Sequence, residues 1–339
     1  MRNVHLATVL ILGWLGQLLC TGSLLAISET NYTQEYTDKV WPFFISHGEE
    51  GTIQTDDQVK IAYKTVIHPN PVATIVILQG WTEHYTAYAE FAYDMYQEGI
   101  STFILDWRGQ GRSQRFLDDS QKSYIDTYDS YHHDLNAFMK QIVLPQSKTP
   151  PIALAFSMGA NILALYETKH PKTFSRLIMV SPMLDIRSDP FPQLFAWTVA
   201  KLMEILGLEK NFVWGHGQYT GLAPNKVTSS EVRFLKLREL RKNNLETVIG
   251  GATWAWLKAS LEATWTMRDQ ATLLQIPILM LQAGKDEIVR TEGQDQLCTE
   301  APLCLKVVFP LAMHTILGEN DRIRTKALRE ILDFIRYGY

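Results

Sequence analysis

The chain has 339 residues, of which 46% are hydrophobic and 20% charged, which is enough apolar material for a large buried core. This composition excludes an intrinsically disordered chain. The net charge is −4 and no block of lysine and arginine stands out, which argues against a nucleic-acid partner, because nucleic-acid phosphates require a basic surface.

Residues 1–27 have the pattern of an export signal, with one arginine before a mostly apolar run. Ala26, or the small residues Gly22 and Ser23, could serve as the cleavage site. An uncleaved anchor is the alternative, since about 20 apolar residues can span a bilayer. Cys20 suggests a lipoprotein, but large residues precede it where a small one is required. In each case we expect an exported protein that is periplasmic, secreted or attached to the membrane by this segment.

From residue 50 onward, apolar runs alternate with helical patterns. The predicted strands are 51–55, 59–67, 73–78, 101–105, 152–156, 176–180, 276–282 and 305–309. The predicted helices between and after them include 87–97, 124–143 and 322–336. Strands separated by helices predict an α/β protein with a mostly parallel sheet and helices on both faces.

Residues 187–267 interrupt this alternation, because they are helical by pattern and rich in Trp, Leu and Phe. We interpret them as a helical cap inserted into a core formed by residues 28–186 and 268–339. Insertions at strand ends usually overhang the ligand site. The alternative is a packed second domain without a function of its own.

Residues 154–160 are the most informative stretch, because a buried strand runs into a helix with Ser157 at the bend. A serine in a strand–turn–helix bend of the G-x-S-x-G type projects its hydroxyl above the sheet edge, where a base can reach it. Ala155 replaces the first glycine of that pattern. A buried serine that opens a core helix is the alternative.

A serine hydroxyl needs a base, and the base needs an orienting acid; in this architecture the order along the chain is Ser, acid, His. Asp286 follows the strand 276–282, and His314 follows the strand 305–309. Among the nine histidines, His314 has both the required order and the strand-end position. We therefore predict Ser157, Asp286 and His314 as the catalytic residues, with no metal.

An oxyanion hole needs two backbone donors. The residue after the nucleophile, Met158, supplies one N–H group. The loop after the strand 73–78 supplies the second at Trp81, where Gly80 lets the backbone turn.

Four motifs resemble the bacterial lysophospholipases and the monoglyceride lipases of the α/β-hydrolase superfamily. They are Gly80-Trp81-Thr82-Glu83-x-Tyr85-x-x-Tyr88-x-Glu90, Asp106-Trp107-Arg108-Gly109-Gln110-Gly111-x-Ser113, the Ala155–Gly159 bend and Gly250-Gly251-Ala252-Thr253-x-x-Trp256-Leu257. The similarity extends from about residue 41 to the C-terminus. One departure is Gln79, where the lipase branch commonly has histidine.

The resemblance implies an α/β-hydrolase fold, a serine esterase acting on a single-chain lipid, and no cofactor. It carries the triad and the oxyanion donors over to Ser157, Asp286, His314, Trp81 and Met158. A lysophospholipid is the expected substrate. The alternatives are a monoacylglycerol lipase, a general carboxylesterase, a peptidase acting on N-terminal residues and a non-catalytic lipid-binding homologue.

Three further expectations follow from the sequence. Asp106 and Arg108 are predicted to fix their glycine-rich loop through a local ion pair. Cys298 and Cys304 could form a disulfide, since an exported chain would keep an even number of cysteines after loss of its leader; two buried thiols are the alternative. The apolar run 191–206 would either pack the cap or line an acyl-chain tunnel whose mouth contacts a membrane surface.

Overall fold

A computed structural model describes residues 25–338 of the chain. Eight strands form one sheet in the order β1-β2-β4-β3-β5-β6-β7-β8. The pairs β1–β2 and β2–β4 are antiparallel and all other neighbouring pairs are parallel. The strands are β1 (Gly48–Gln54), β2 (Lys60–Val66), β3 (Ala73–Leu78), β4 (Ile100–Leu105), β5 (Pro151–Phe156), β6 (Leu177–Val180), β7 (Ile278–Ala283) and β8 (Cys304–Phe309).

The α-helices of the described residues connect and cover these strands. They are α1 (Tyr32–Glu35), α2 (Trp41–Ser46), α3 (Ala89–Gln97), α4 (Asp129–Phe138), α5 (Leu144–Gln146), α6 (Met158–Lys169), α7 (Gln193–Ile205), α8 (Glu231–Asn243), α9 (Trp254–Gln270), α10 (Glu292–Glu300) and α11 (Asp321–Tyr337). Short 3₁₀ segments and π-helical turns at Tyr36–Val40 and Met139–Val143 extend several of them.

The two faces of the sheet carry separate apolar clusters, because neighbouring residues of a strand point to opposite faces. In β3, Val76 and Leu78 belong to the cluster that packs under α4, α6 and α9. Ile75 and Ile77 belong to the cluster under α3 and α11. The α/β class with helices on both faces is thereby confirmed, and every predicted strand is present with bounds shifted by at most a few residues.

Two helical regions differ from the prediction. The helical segment from Glu29 to Ser46 was not predicted, yet Tyr36, Val40 and Phe44 are buried in the apolar cluster that includes α3. The helix expected over 124–143 begins only at Asp129, because the preceding backbone bonds to a distant loop: the Ser123 N–H donates to the Gly251 carbonyl.

The segment between β6 and β7 contains α7, α8 and α9, and none of the eight strands of the sheet lies in it. The bounds 187–267 of the predicted cap stay a prediction. The leader predicted at residues 1–27 lies outside the described residues except for its last three; of these, Leu25 and Ile27 are buried in the cluster that includes α3. No helix among residues 25–338 is long and apolar enough to cross a membrane.

Candidate active site

The bend that carries Ser157 is built as the pattern of residues 154–160 predicts. Ser157 lies between β5 and α6 with φ +50° and ψ −115°, a backbone conformation that residues other than glycine rarely adopt. A Cβ atom on Gly159 would lie 2.3 Å from the Leu78 carbonyl oxygen, so only glycine allows α6 to approach the end of β3 this closely. Ala155 instead lies in β5, fully buried and paired with Leu78 and Met179.

The structure brings the side chains of Ser157, Asp286 and His314 together from the ends of three strands. His314 Nε2 lies 3.0 Å from Ser157 Oγ, and His314 Nδ1 lies 2.7 Å from Asp286 Oδ2. The imidazole packs against the ring of Phe156, with 4.9 Å between ring centroids. All three polar side chains are buried, so few water molecules compete for these hydrogen bonds.

The carboxylate of Asp286 is itself held in place. Its Oδ1 accepts the backbone N–H groups of Ile288 at 2.9 Å and Val289 at 3.0 Å, which leaves Oδ2 for the imidazole. Because a turn of its own backbone fixes the carboxylate, the histidine ring has one preferred orientation.

The residues predicted as oxyanion donors lie on two segments that touch. Met158 is the first residue of α6, and Trp81 lies in the loop after β3. The close approach at Gly159 joins α6 to the end of β3. The oxyanion loop, residues 79–83, is further held by hydrogen bonds from the Gly80 N–H to Glu83 Oε2 and from the Thr82 N–H to Gln110 Oε1.

Glu83 accepts a second hydrogen bond, from the Tyr88 hydroxyl at 2.7 Å. Burial raises the pKa of the Glu83 carboxyl, and its hydrogen bonds and the nearby Arg241 oppose that rise. The side chain of Trp81 stacks on Trp256, with 4.4 Å between centroids, so the oxyanion loop also contacts α9.

The predicted ion pair between Asp106 and Arg108 is wrong. Arg108 instead pairs with Asp57 and Asp134, at 2.7 Å and 2.8 Å. Asp106 does fix its loop, but by accepting bonds from His84 Nδ1 and from backbone N–H groups such as that of Arg112. The buried Arg108 guanidinium is already neutralised by these two carboxylates, since Nε donates to Asp134 and both Nη atoms donate to Asp57.

Gln79, where the lipase branch commonly has histidine, has a structural role. Its side-chain Nε2 donates to the Leu105 carbonyl and, at 2.7 Å, to Asp106 Oδ1, and its backbone carbonyl accepts a hydrogen bond from the Trp107 indole N–H. The side chain thus ties the oxyanion loop to the glycine-rich loop after β4.

A cavity of about 740 Å³ opens above Ser157 and His314. Most of its lining is apolar and comes from α7, α9 and the loops beside them, including Phe191, Phe195, Val199, Trp214, Trp254 and Trp256. Arginines 187, 238 and 241 also line it. Sequence reasoning missed this basic set; the spacing of Arg238 and Arg241, three residues apart in a region that is helical by pattern, was the available signal.

Cys298 and Cys304 are joined by a disulfide that links α10 to the start of β8. Within residues 25–338, no group of three His, Cys, Asp or Glu side chains is placed to hold a metal ion.

A family model described as serine aminopeptidase, S33, matches residues 69–321. The chain belongs to this family of α/β-hydrolases. It is 32% identical over 273 residues to lysophospholipase L2 of Escherichia coli (strain K12), covering 77% of this chain and 79% of the relative. It is 29% identical over 282 residues to the probable lysophospholipase L2 of Haemophilus influenzae, covering 82% and 88%.

A solved structure of a soluble variant of the monoglyceride lipase of Saccharomyces cerevisiae, in complex with a substrate analog, superposes with a TM-score of 0.69 at 16% identity. It covers 88% of this chain and 100% of that one. At that identity the likeness confirms the fold. The family and its relatives confirm the prediction of a carboxylic ester hydrolase.

Proposed function

We propose that the protein hydrolyses the acyl ester of a single-chain lipid, with a lysophospholipid as the preferred substrate. The observation that carries the proposal is the continuous chain of hydrogen bonds from Asp286 through His314 to Ser157 at the base of a large apolar cavity. The names of the Escherichia coli and Haemophilus influenzae relatives support the choice of substrate.

In the first half of the reaction, His314 Nε2 takes the proton of the Ser157 hydroxyl while Oγ forms a bond to the ester carbonyl carbon. The N–H groups of Trp81 and Met158 stabilise the negative charge that develops on the carbonyl oxygen. Asp286 accepts a hydrogen bond from the Nδ1–H group of His314 and stabilises the imidazolium. As the tetrahedral intermediate collapses, the bond to the alcohol breaks and His314 gives that alcohol its proton, leaving an acyl group on Ser157.

In the second half, water replaces the alcohol. His314 removes a proton from the water as its oxygen bonds to the acyl carbon, the bond to Ser157 breaks, and the proton returns to Oγ. The products are a free fatty acid and the deacylated alcohol, and no cofactor enters the reaction.

The cavity lining supports a long acyl chain. Each methylene buried against an apolar wall contributes about 0.8 kcal/mol, so a cavity of this kind favours long single-chain esters over short ones. A monoacylglycerol lipase or a general carboxylesterase is the second candidate function, because the substrates of such enzymes would use the same apolar cavity wall and the same triad. A lipid-binding homologue without catalysis would not need the aligned triad.

The family description names an aminopeptidase, which would need a free carboxylate to bind an α-amino group. The carboxylates that line the cavity are Glu83 and Asp189. Asp189 pairs with Arg290 at 2.7 Å. Glu83 is engaged by the Gly80 N–H and the Tyr88 hydroxyl. This arrangement favours an ester of a lipid over a peptide.

A membrane surface is the proposed source of the substrate. Large apolar side chains are exposed on and near α7, at Phe191, Leu194, Leu202, Ile205 and Leu206, and Trp214 beside the cavity is 70% exposed. Contiguous exposed apolar residues of this kind are typical of lipid-contacting surfaces. Export by the N-terminal segment would place the protein next to such a surface outside the cytoplasm.

Substitution of the nucleophile tests the proposal. We expect Ser157→Ala to lower kcat by about 10⁶-fold, the scale seen when a triad serine is removed, while unfolding is unaffected. Wild type should become labelled by a fluorophosphonate at Ser157, which mass spectrometry of the digested protein would locate. Ser188→Ala is the matched control, since Ser188 lines the cavity but donates its hydroxyl to the Phe191 carbonyl.

Turnover of a lysophospholipid, the monoacylglycerol with the same acyl chain and a short aryl ester then ranks the candidate substrates. Normal turnover by Ser157→Ala would overturn the triad. Preference for the monoacylglycerol by wild type would select the second candidate function.

A further inference from the structure

The charged side chains around the cavity are unevenly distributed. Its lining includes three arginines, at positions 187, 238 and 241, and two carboxylates, Glu83 and Asp189. Asp189 is neutralised by Arg290, so three arginines face one other carboxylate, Glu83. The cavity therefore carries net positive charge although the whole chain is acidic at −4.

The arginines of this lining form no close ion pair, although Arg241 is near enough to Glu83 to oppose the rise in its pKa. Among the ion pairs within residues 25–338, none includes Arg187, Arg238 or Arg241. Arg238 donates to the Gly221 carbonyl, and Arg241 makes only long contacts to Thr82, at 3.4 Å and 3.5 Å. Because a guanidinium has five N–H donors, most of their hydrogen-bonding capacity remains for a ligand.

Arg238 and Arg241 lie on the same side of α8, since residues three apart on a helix are neighbours. Both are half-buried, whereas Arg187 is exposed. The Arg241 contact to Thr82 places its guanidinium beside the oxyanion loop, one residue from Trp81. Arg241 therefore borders the oxyanion loop, and Arg238 lines the same cavity from α8.

The helix that carries this pair is anchored to the rest of the fold. Arg233, one to two turns earlier on α8, is buried and pairs with Glu90 at 3.0 Å and Asp321 at 2.8 Å. Two guanidinium groups on a fixed helix lose less conformational freedom on binding than two groups on a loose loop.

From these observations we infer that Arg238 and Arg241 form the subsite for the phosphodiester of the lysophospholipid headgroup. The inference rests on the proposed function and deepens it by naming residues that select the headgroup. With the acyl chain along the apolar wall and the ester at Ser157, a three-carbon glycerol unit is all that separates the ester oxygen from the phosphate.

The chemistry of the two side chains fits this ligand. Guanidinium groups bind phosphate oxygens through paired, charge-assisted hydrogen bonds, which are stronger than neutral ones. A monoacylglycerol carries a hydroxyl where the lysophospholipid carries its phosphate, so it gains little from either arginine. The subsite therefore discriminates between the first and second candidate functions.

The test measures kcat/KM for a lysophospholipid and for the monoacylglycerol with the same acyl chain. We expect the double variant Arg238→Gln/Arg241→Gln to lose roughly tenfold or more of the lysophospholipid-to-monoacylglycerol selectivity, mainly through KM. Replacing Arg241 by Lys instead of Gln should recover part of the lost selectivity, because lysine restores the positive charge but not the planar set of guanidinium donors. Lys242→Gln, an exposed neighbour on α8, is the matched control and should leave the selectivity unchanged.

Equal losses on both substrates, or an unchanged selectivity, would overturn the subsite while leaving the proposed function intact. Wild type that cleaves the monoacylglycerol but not the lysophospholipid would instead overturn the proposed lysophospholipid substrate. Inorganic phosphate distinguishes a lipid headgroup from free phosphate as the ligand. Suppose that phosphate inhibits monoacylglycerol cleavage by wild type but not by the double variant, and that wild type and double variant have the same lysophospholipid-to-monoacylglycerol selectivity. The site then binds free phosphate and the proposal is wrong.

Discussion

The sheet and the helical segment between β6 and β7 differ in how deeply their residues are buried. Every residue of β3, β5 and β7 is buried, and the loops after β5, β7 and β8 hold the Ser157, Asp286 and His314 side chains. In α7, by contrast, Ala200 is the single fully buried residue and several leucine and isoleucine side chains face solvent. Groups that must keep a fixed geometry lie on the rigid sheet, and the groups that we propose to contact the lipid lie on the more exposed helices.

The helices of that segment also differ from one another. α8 is tied to the core by Arg233, which pairs with the buried Glu90 and the half-buried Asp321. α7 packs on α9 instead, with a hydrogen bond of 2.8 Å from the Trp197 indole to Glu262. The wall that presents Arg238 and Arg241 is thus held by buried charge pairs of Arg233, whereas α7 is held by packing on α9 together with more exposed polar contacts such as Lys258–Glu204 at 3.4 Å.

The largest effect is expected from breaking the anchor of α8. Arg233→Met would leave Glu90 as a buried carboxylate with one fewer cationic partner, which typically costs about 3–5 kcal/mol of unfolding free energy. Denaturant unfolding followed by circular dichroism measures this loss. Arg329→Met, at an exposed position on α11, is the control and should change stability by less than about 0.5 kcal/mol.

A loss at Arg233 no larger than that of the control would show that α8 is held by side-chain packing and not by its charge pairs. The headgroup selectivity of the folded variant is a second readout, because a loosened α8 would also displace Arg238 and Arg241.

The parts of the site that sequence could predict are those defined by local pattern. Ser157, Asp286 and His314 each come within five residues of the end of a strand, so their convergence at one sheet edge follows from parallel topology. The anchor around Arg233 was not predictable in this way. Its partners Glu90 and Asp321 are 143 and 88 residues away along the chain, and no periodicity links them.

The wrong prediction of an Asp106–Arg108 pair has the same origin. Two opposite charges two residues apart suggested a local contact, but the side chains point to different neighbours: Arg108 to Asp134 and Asp106 to His84. The helical segment before β1 was missed because its buried tyrosines, such as Tyr36, are spaced among polar residues and gain their burial from contacts with α8 and α3.

A smaller effect is expected in the core under acid. Burial lowers the pKa of His132 to about 4, with Lys169 and His170 adding to the shift and Asp129 opposing it. A histidine in the unfolded chain has a pKa of about 6.5. Below that pH the unfolded chain therefore takes up a proton that His132 in the folded protein does not. Stability should therefore fall as the pH drops from about 6.5 to 4, by up to about 3 kcal/mol from this group.

His132→Gln should flatten that decline, and His133→Gln, an exposed neighbour, should not. Asp134 and Glu167 act in the opposite direction, because burial raises the pKa of each to about 7. The informative quantity is thus the difference between variant and wild-type unfolding free energies across pH 4–7, from chemical denaturation at each pH. If the unfolding free energies of His132→Gln and wild type changed with pH in parallel, His132 would not contribute to the acid sensitivity of the core.

The smallest effect is expected from the exposed face of α7, and it tests whether that face contacts lipid. Ile205 is 71% exposed, so Ile205→Glu should not affect folding. Burying one isoleucine in a bilayer is worth about 1.5–3 kcal/mol, so the variant should bind vesicles roughly tenfold or more weakly. Zwitterionic phosphatidylcholine vesicles suit the measurement by co-sedimentation, because they add no charge attraction for an acidic chain.

Leu303→Glu is the matched control, since Leu303 is 51% exposed but lies between Cys298 and Cys304, away from α7. Turnover of a short water-soluble ester should be the same in wild type and both variants, because neither position lines the cavity. If both substitutions weaken vesicle binding equally, α7 has no special role as the lipid-contacting surface. If only Ile205→Glu does so, the exposed helices deliver the lipid and the buried strands place the groups that cleave it, because a change in lipid binding would then leave the chemistry intact.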